Sequence, residues 1–412
     1  MSSADHTLSS YFDHAATTPV KPTAMRVLTE VMPALSNPSS LHGSGRRARL
    51  AVDSAREQLA RAVGAHASEV IFTSGGTEAD NLAVKGLYWQ RRGQDPARAR
   101  VLLPGIEHHA VLETAEWLEA HEEAELGIIP VDAEGIVDLV QLEAMLTESA
   151  PSVALVTVMW ANNETGAVQP VAQIGELCAR FDVPLHTDAV QALGSVPAGA
   201  SPMSFRESGA ATMAISGHKI GAPVGVGALL VRRDVLLTPV LHGGGQERDI
   251  RSGTLDVAGI CAFAAVAEEL VAAQAEESQR LAQLRDQLLA AVVGLDGVTL
   301  RGPDPRTHPE LRLPNNLHIT VDAAEGDSLL FMLDMAGFDT ATGSACTAGV
   351  PRPSHVLLAM GLSEEQARGA QRFTLGWTTT EREVEALAEA LAEALPAVIA
   401  QARTAGMAAG RR

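Results

Sequence analysis

From about residue 50 to 240, short apolar runs that end in polar residues or glycine alternate with stretches of helical periodicity. EVIFTS, VALVTVMWANN, VPLHTDA and GVGALLVRR are examples. Continuous apolar runs, unlike alternating ones, belong to strands covered on both faces, so the pattern predicts a largely parallel sheet with helices on either side. Ligands of such sheets bind beyond the carboxyl ends of the strands. The polar residues that close each run are therefore the first candidates for chemistry.

After the glycine-rich stretch HGGGQERDIRSGT the pattern changes. A long Ala, Leu, Glu and Gln segment from Val257 to about Val293 predicts one or two helices. Strands near NNLHITV and RFTLGW follow, then a helix through EREVEALAEALAEAL. We expect a large α/β domain over 14–256 and a smaller α+β domain made of 1–13 and 257–412, since 412 residues exceed one ordinary core.

Composition narrows the function classes. A formal charge of −19 argues against a broad phosphate-neutralising surface, so no direct contact with nucleic acid is expected. No run reaches the eighteen or so consecutive apolar residues of a membrane helix, and no membrane partner is expected. The opening MSSADHTLSS has no apolar leader core, which leaves a cytoplasmic address as the expectation. Three cysteines without a C-x-x-C pair, Cys178, Cys261 and Cys346, fit a reducing compartment and exclude a self-contained cysteine cage for a metal.

Lysine is scarce: only Lys21, Lys85 and Lys219 occur, so an amine nucleophile has three candidates. Lys219, in MAISGHKIGAPVGVGALLV, follows an apolar strand and precedes a glycine-rich return. That setting predicts a dry site in which its pKa falls, and Ser216 and His218 beside it can donate to a phosphate. SGGTEADN reads as a tight turn opening a helix, where Gly76 and Thr77 suit an anion as well as an ordinary capped turn. Asp188 closes VPLHTDAVQ, either as a helix cap or as a buried carboxylate that needs a cation such as a protonated pyridine nitrogen. Gln191 lies three residues on.

Cys178 and Cys261 fall among apolar residues at helical spacing, which predicts inert buried thiols. Cys346, in TATGSACTAGVPRPSH, has only small residues, glycine and proline around it, so its thiol should be accessible. Arg372 alternates with apolar residues in QRFTLGW and points inward. It needs an anion there, either a structural partner or a ligand carboxylate.

FDHAATTP, SGGTEADN, EHHAVLE, NNETGAVQP, HTDAVQ, SGHKIGAPVGVGAL, GGGQERDIRSGT and GSACTAG, in this order from about Tyr11 to Trp377, resemble the cysteine desulfurases of the class V aminotransferase-like family. The resemblance implies a fold-type I transferase dependent on pyridoxal phosphate, with a seven-stranded-type sheet in the large domain. It places the Schiff-base lysine at Lys219 and the phosphate contacts at Gly76, Thr77, Ser216 and His218. His108 would stack on the pyridine ring and assist proton transfer, and Asn163, Asp188 and Gln191 would contact its oxygen and nitrogen. Asn163 and Arg372 would bind the substrate, the arginine through its carboxylate. Thr254 would reach the phosphate of the partner subunit, which implies a homodimer.

The same resemblance implies that L-cysteine gives up its sulfur to Cys346 as a persulfide and leaves as alanine. A sulfur-acceptor protein then follows, in iron–sulfur cluster assembly or in thiolation of tRNA or DNA. No intrinsic metal site is expected, Cys346 being at most a transient iron–sulfur ligand. A selenocysteine lyase, another class V enzyme, or a sulfur-donor subunit that turns over only with its partner remain alternatives.

Overall fold

The computed structural model describes residues 9–343 and 353–409, apart from 35, 196, 198, 201 and 323; of the side chains beyond 400 nothing is described. Among the described residues twelve strands occur in chain order: β1 (Ser10–Tyr11), β2 (Val70–Thr73), β3 (Arg100–Pro104), β4 (Glu125–Ile129), β5 (Val153–Thr157), β6 (Leu185–Asp188), β7 (Thr212–Ser216), β8 (Gly227–Val231), β9 (Val298–Leu300), β10 (Asn316–Val321), β11 (Phe338–Asp339) and β12 (Ala370–Thr374).

Seven of them form one sheet in the order β2-β8-β7-β6-β5-β3-β4. Only β8 runs against the others, pairing antiparallel with β2 and β7. The apolar runs of the sequence become these strands, and their uniform hydrophobicity has a simple cause. Ile71, Val101, Leu103, Leu155 and Leu229 enter the core on one face, while Phe72, Leu102, Val156 and Leu230 enter the core on the other. Successive side chains of a strand point to opposite faces, and here both faces are covered.

The segment from Val257 forms a single helix of 36 residues, Val257–Val292. Its first turns, with Phe263 and Val266, pack into the large core, and its last, with Leu284, Leu288 and Val292, into the core of a second unit. The change of composition near 256 thus marks the start of a helix that serves both cores, and its packing partners change between Leu270 and Leu281. By length and composition the helix could cross a membrane, but 56% of its most apolar window is buried inside the protein.

The second unit is α+β, with the antiparallel sheet β12-β10-β9 packed on the helix Glu381–Ala409. The N-terminal segment joins it: β1 pairs parallel with β11, and Phe12 is fully buried in its core. The chain then crosses back, with Asp13 bridged to Thr374 and the Thr18 amide donating to the His218 carbonyl at 3.1 Å. Residues 12–18 therefore form a strap between the two units.

The carboxyl ends of β2, β3, β5, β6 and β7 lie along one edge and deliver the loops of the site. Their approach requires glycine at Gly227, where a Cβ would sit 2.7 Å from Gly75 Cα and 2.8 Å from the Ile215 carbonyl oxygen. Both neighbours are backbone and cannot turn aside. Gly227→Ala should therefore destabilise the protein by roughly 1–3 kcal/mol, the usual cost of overpacking. Gly93→Ala, in a helix and with nothing within 4 Å of the new methyl, should leave stability unchanged or raise it slightly. Thermal unfolding of the two variants checks the pair.

Candidate active site

A cleft of about 460 Å³ opens at this edge, a size common for small-molecule sites. Gly76, Thr77, His108, Asn163, Asp188, Gln191, Ser216, His218, Lys219 and Arg372 all line it. Each arrives from a strand end: Gly76 and Thr77 open the helix Gly76–Gln94 after β2, His108 follows β3, Asn163 follows β5, Asp188 closes β6, and Ser216 closes β7 just before Lys219. Arg372 comes from β12 of the second unit. Thr254 does not line the cleft and is exposed on this chain. Cys346 lies outside the described residues, although Gly343 before it and His355 after it line the cleft.

Among the described residues Lys219 is the lysine of the cleft. Lys21 is paired with Glu269 at 3.0 Å, and Lys85 lies 4.4 Å from the centre of the Trp117 ring. The Lys219 amine donates to the carbonyl oxygens of Ala15 (2.6 Å) and Ala16 (2.9 Å) on the strap. Burial, with help from the charge of Arg372, lowers its pKa to about 8, against the opposing pull of Asp188 and Asp13. An amine in a dry place gives up its proton more readily than a solvated one.

Next to it lies a cluster of buried acids that make no ion pair with an arginine or lysine among the described residues. Burial pushes Asp188 up to about 6, against the pull of the Val190 amide, which donates to it at 2.8 Å, and of Lys219. Glu107 is completely buried and raised to about 8 by burial and by Asp188, although the Met159 amide donates to it at 2.6 Å. Its Oε2 has no partner among the described residues. Asp80 is held well above the usual carboxylate range by burial and by both of the other acids. His186 contacts Asp80 at 3.2 Å and Thr212 at 2.9 Å. Burial pushes that imidazole down to about 3, so the ring in this contact is neutral.

Two histidines of the cleft, His108 and His218, are uncharged as well. His108 accepts from the Ala110 amide at 3.1 Å through Nδ1, which caps the helix His109–Glu122 and leaves the proton on Nε2. Burial and the charge of Lys219 lower both His108 and His218 to about 4. Arg372 donates from Nη2 to Asp13 Oδ1 at 2.7 Å and from Nη1 to the Asn163 carbonyl at 2.9 Å. Its Nε is buried without a partner among the described residues. Gln191 donates to the Ala15 carbonyl at 2.9 Å, so it steadies the strap.

These features fit pyridoxal phosphate. A cationic ring nitrogen answers the buried acids around Asp188. A phosphate answers the start of the helix at Gly76 and the buried Ser216 hydroxyl, which has no partner among the described residues. At Gly76 a Cβ would meet Val190 at 2.7 Å, so glycine keeps this approach open.

Sequence reading missed the strap carbonyls, Asp13 and Glu107. Carbonyl oxygens leave no signature in residue type. FDHAATTP and EHHAVLE were visible as motifs, yet Asp13 and Glu107 carried no role of their own. Asn162 was missed too. Its side chain donates to the Ile106 carbonyl and accepts from the amides of Glu164 and Thr165, which shapes the turn that presents Asn163.

A parallel-sheet protein with a buried lysine facing a buried aspartate at the strand ends is the design of a fold-type I pyridoxal-phosphate enzyme. The model of the family Aminotransferase class-V matches residues 10–387. An IscS-like cysteine desulfurase of Mycobacterium tuberculosis is 49% identical over 97% of this chain and 98% of its own. A solved NifS-like protein superposes with a TM-score of 0.83 at 32% identity, covering 94% of this chain and 99% of its own. SspA, solved in complex with cysteine, gives 0.75 at 30% identity over 89% and 99%. The chain belongs to the class V, pyridoxal-phosphate-dependent cysteine desulfurases.

The raised pKa of Glu107 carries a prediction about the cofactor-free protein. Its folded value, about 8, lies above its unfolded one. The stability it contributes is thus complete at low pH and is lost as pH rises through 8. Glu107→Gln, which cannot ionise, should leave stability near pH 5 almost unchanged and increase it at pH 8.5 by roughly 1–3 kcal/mol. Thermal melts of the two proteins at both pH values measure the difference.

Proposed function

We propose that L-cysteine binds in this cleft with its carboxylate on Arg372, that Lys219 carries the cofactor and moves the substrate's α-proton, and that Cys346 accepts the sulfur. The position of Lys219 carries the reading: it is a buried amine of lowered pKa, held by the strap between Asp188 and Arg372. Pyridoxal phosphate, when bound, supplies an electrophilic carbon for the amine and a ring that withdraws electrons from the substrate's α-carbon.

Gly76, Thr77, Ser216 and His218 would hold its phosphate. Asp188 as a carboxylate would keep the ring nitrogen protonated, Asn163 and Gln191 would border the ring's oxygen, and His108 would cover its face. Arg372 has an unused Nε and further Nη protons with which to orient a carboxylate. The Cys346 thiolate attacks the substrate sulfur. One S–S bond forms as the C–S bond breaks, leaving a persulfide on the enzyme and alanine as product. For the next acceptor we favour a cytoplasmic protein of iron–sulfur cluster assembly or of tRNA or DNA thiolation.

Neutral Nζ is the reactive form of Lys219, so uptake of pyridoxal phosphate by the cofactor-free protein should quicken with rising pH and level off above about 8. Borohydride should then fix the cofactor to the Lys219 peptide, and label on Lys21 or Lys85 would refute the assignment. Cys346→Ser should keep the cofactor yet make almost no alanine from cysteine. Wild-type protein given cysteine without a reductant should gain the mass of one sulfur on the Cys346 peptide, removable by dithiothreitol.

A homodimer belongs to the same proposal. Thr254 is exposed on this chain, as are the apolar side chains of Leu41, Leu50, Val224 and Leu241, and a second copy is the cover that the family pattern implies. Sedimentation should give a dimer, and Thr254→Ala should shed cofactor faster on dialysis. A fully active monomer would overturn the shared site.

A further inference from the structure

Arg372 is not a free cation. Its Nη2 is 2.7 Å from Asp13 Oδ1, and the two side chains are 6% and 22% exposed, so water screens the pair little. Asp13 lines the same cleft and is fixed in place. Its main chain bridges to Thr374, and its carbonyl accepts from the Tyr11 hydroxyl at 2.9 Å and the Ala16 amide at 3.0 Å. The guanidinium charge is therefore balanced before a ligand arrives, while Nε and the remaining Nη protons can still bind one carboxylate. A second carboxylate, on the ligand's side chain, meets no spare cation among the described residues. His108 and His218 are neutral near pH 7, His109 and His355, also on the cleft wall, are engaged with Glu113 at 3.3 Å and with the Glu107 carbonyl at 2.8 Å, Lys219 is the amine required for the cofactor, and Lys21 and Lys85 are engaged elsewhere. Asp188 and Glu164, also on the cleft wall, offer only further acceptors.

We infer that Asp13 determines specificity by charge: it holds Arg372 in place and neutralises it, so the cleft accepts amino acids whose side chains are uncharged and rejects those with an anionic side chain. This rests on reading Arg372 as the carboxylate holder. Asp13 is here a positioning residue that acts through Arg372, and its fixed negative charge adds repulsion against a second anion. The useful consequence is that the abundant acidic amino acids do not occupy the cofactor, although their α-carboxylates would fit the arginine equally well.

The experiment titrates the cofactor's visible absorption in the holoenzyme with L-alanine and with L-aspartate. Wild type should bind alanine at least about tenfold more tightly than aspartate, the scale of one poorly screened charge contact. Asp13→Asn should narrow that ratio about tenfold, chiefly by tightening aspartate, with the cofactor band intact. Asp13→Glu, which keeps the charge, should retain the wild-type ratio. A wild type without the preference, or an Asp13→Asn ratio within about twofold of wild type, overturns the inference. Arg372→Ala separates the two levels. If it weakens alanine binding while Asp13→Asn changes nothing, the arginine's role stands and that of Asp13 falls. If it leaves alanine binding unchanged, both fall.

Discussion

Three acids, Asp80 in the helix Gly76–Gln94, Glu107 after β3 and Asp188 at the end of β6, are removed from water with no ion pair to an arginine or lysine among the described residues, and the construction of the site depends on this. A buried carboxylate costs several kcal/mol unless a cation or a set of donors compensates it. Here the donors are few. Asp188 has one amide, Glu107 has one amide on one oxygen, and Asp80 has a neutral histidine. Ionising the cluster is therefore costly, which is why all three pKa values are raised. A cation brought to Asp188 changes that balance, because an ionised Asp188 is then paired. The apolar sheet thus supplies a poorly solvated place in which a ring nitrogen keeps its proton, the condition for the ring to withdraw electrons.

The strap of residues 12–18 turns this pocket into a two-sided site. Phe12 anchors it in the second core, Asp13 meets Arg372, the carbonyls of Ala15 and Ala16 hold Lys219, and Thr18 bonds to His218. One short segment therefore sets the distance between the amine and the guanidinium, which arrive from different sheets. The continuous helix Val257–Val292 enforces the same relation on a larger scale, since each of its ends is buried in a different core. Loop residues alone would not fix such a spacing, whereas a strap bonded at both ends does.

How much of this was legible in the sequence follows from what kind of signal each part leaves. The strands were legible because burial on both faces demands unbroken apolar runs. Lys219 and Asp188 were legible because an amine among only three, and an acid at the end of an apolar run, are conspicuous residue types in conspicuous places. The strap was not, because its work is done by backbone oxygens that any sequence possesses. Glu107 stands in the motif EHHAVLE without a role of its own, and only the fold shows it fully buried. The long helix was ambiguous because Ala-rich segments with scattered charges do not reveal where one core ends and another begins. Arg372 was correctly read as inward, but the choice between a structural ion pair and a ligand was posed too sharply. It has Asp13 as a partner and donors to spare.

The opposed influences on Lys219 suit the two roles proposed for it, anchor and mover of protons. Burial and Arg372 favour its neutral form, while Asp188 and Asp13 favour the charged one. A cation paired with Asp188 cancels part of the second influence, and a carboxylate bound at Arg372 cancels part of the first. A free amine at this place is therefore biased toward neutrality while a cation pairs with Asp188, and would be biased toward accepting a proton once a carboxylate sat on Arg372. That order, a neutral amine first and a proton acceptor afterwards, is the one that proton removal from a bound amino acid requires. It arises from charges placed on two separate sheets and balanced across the strap.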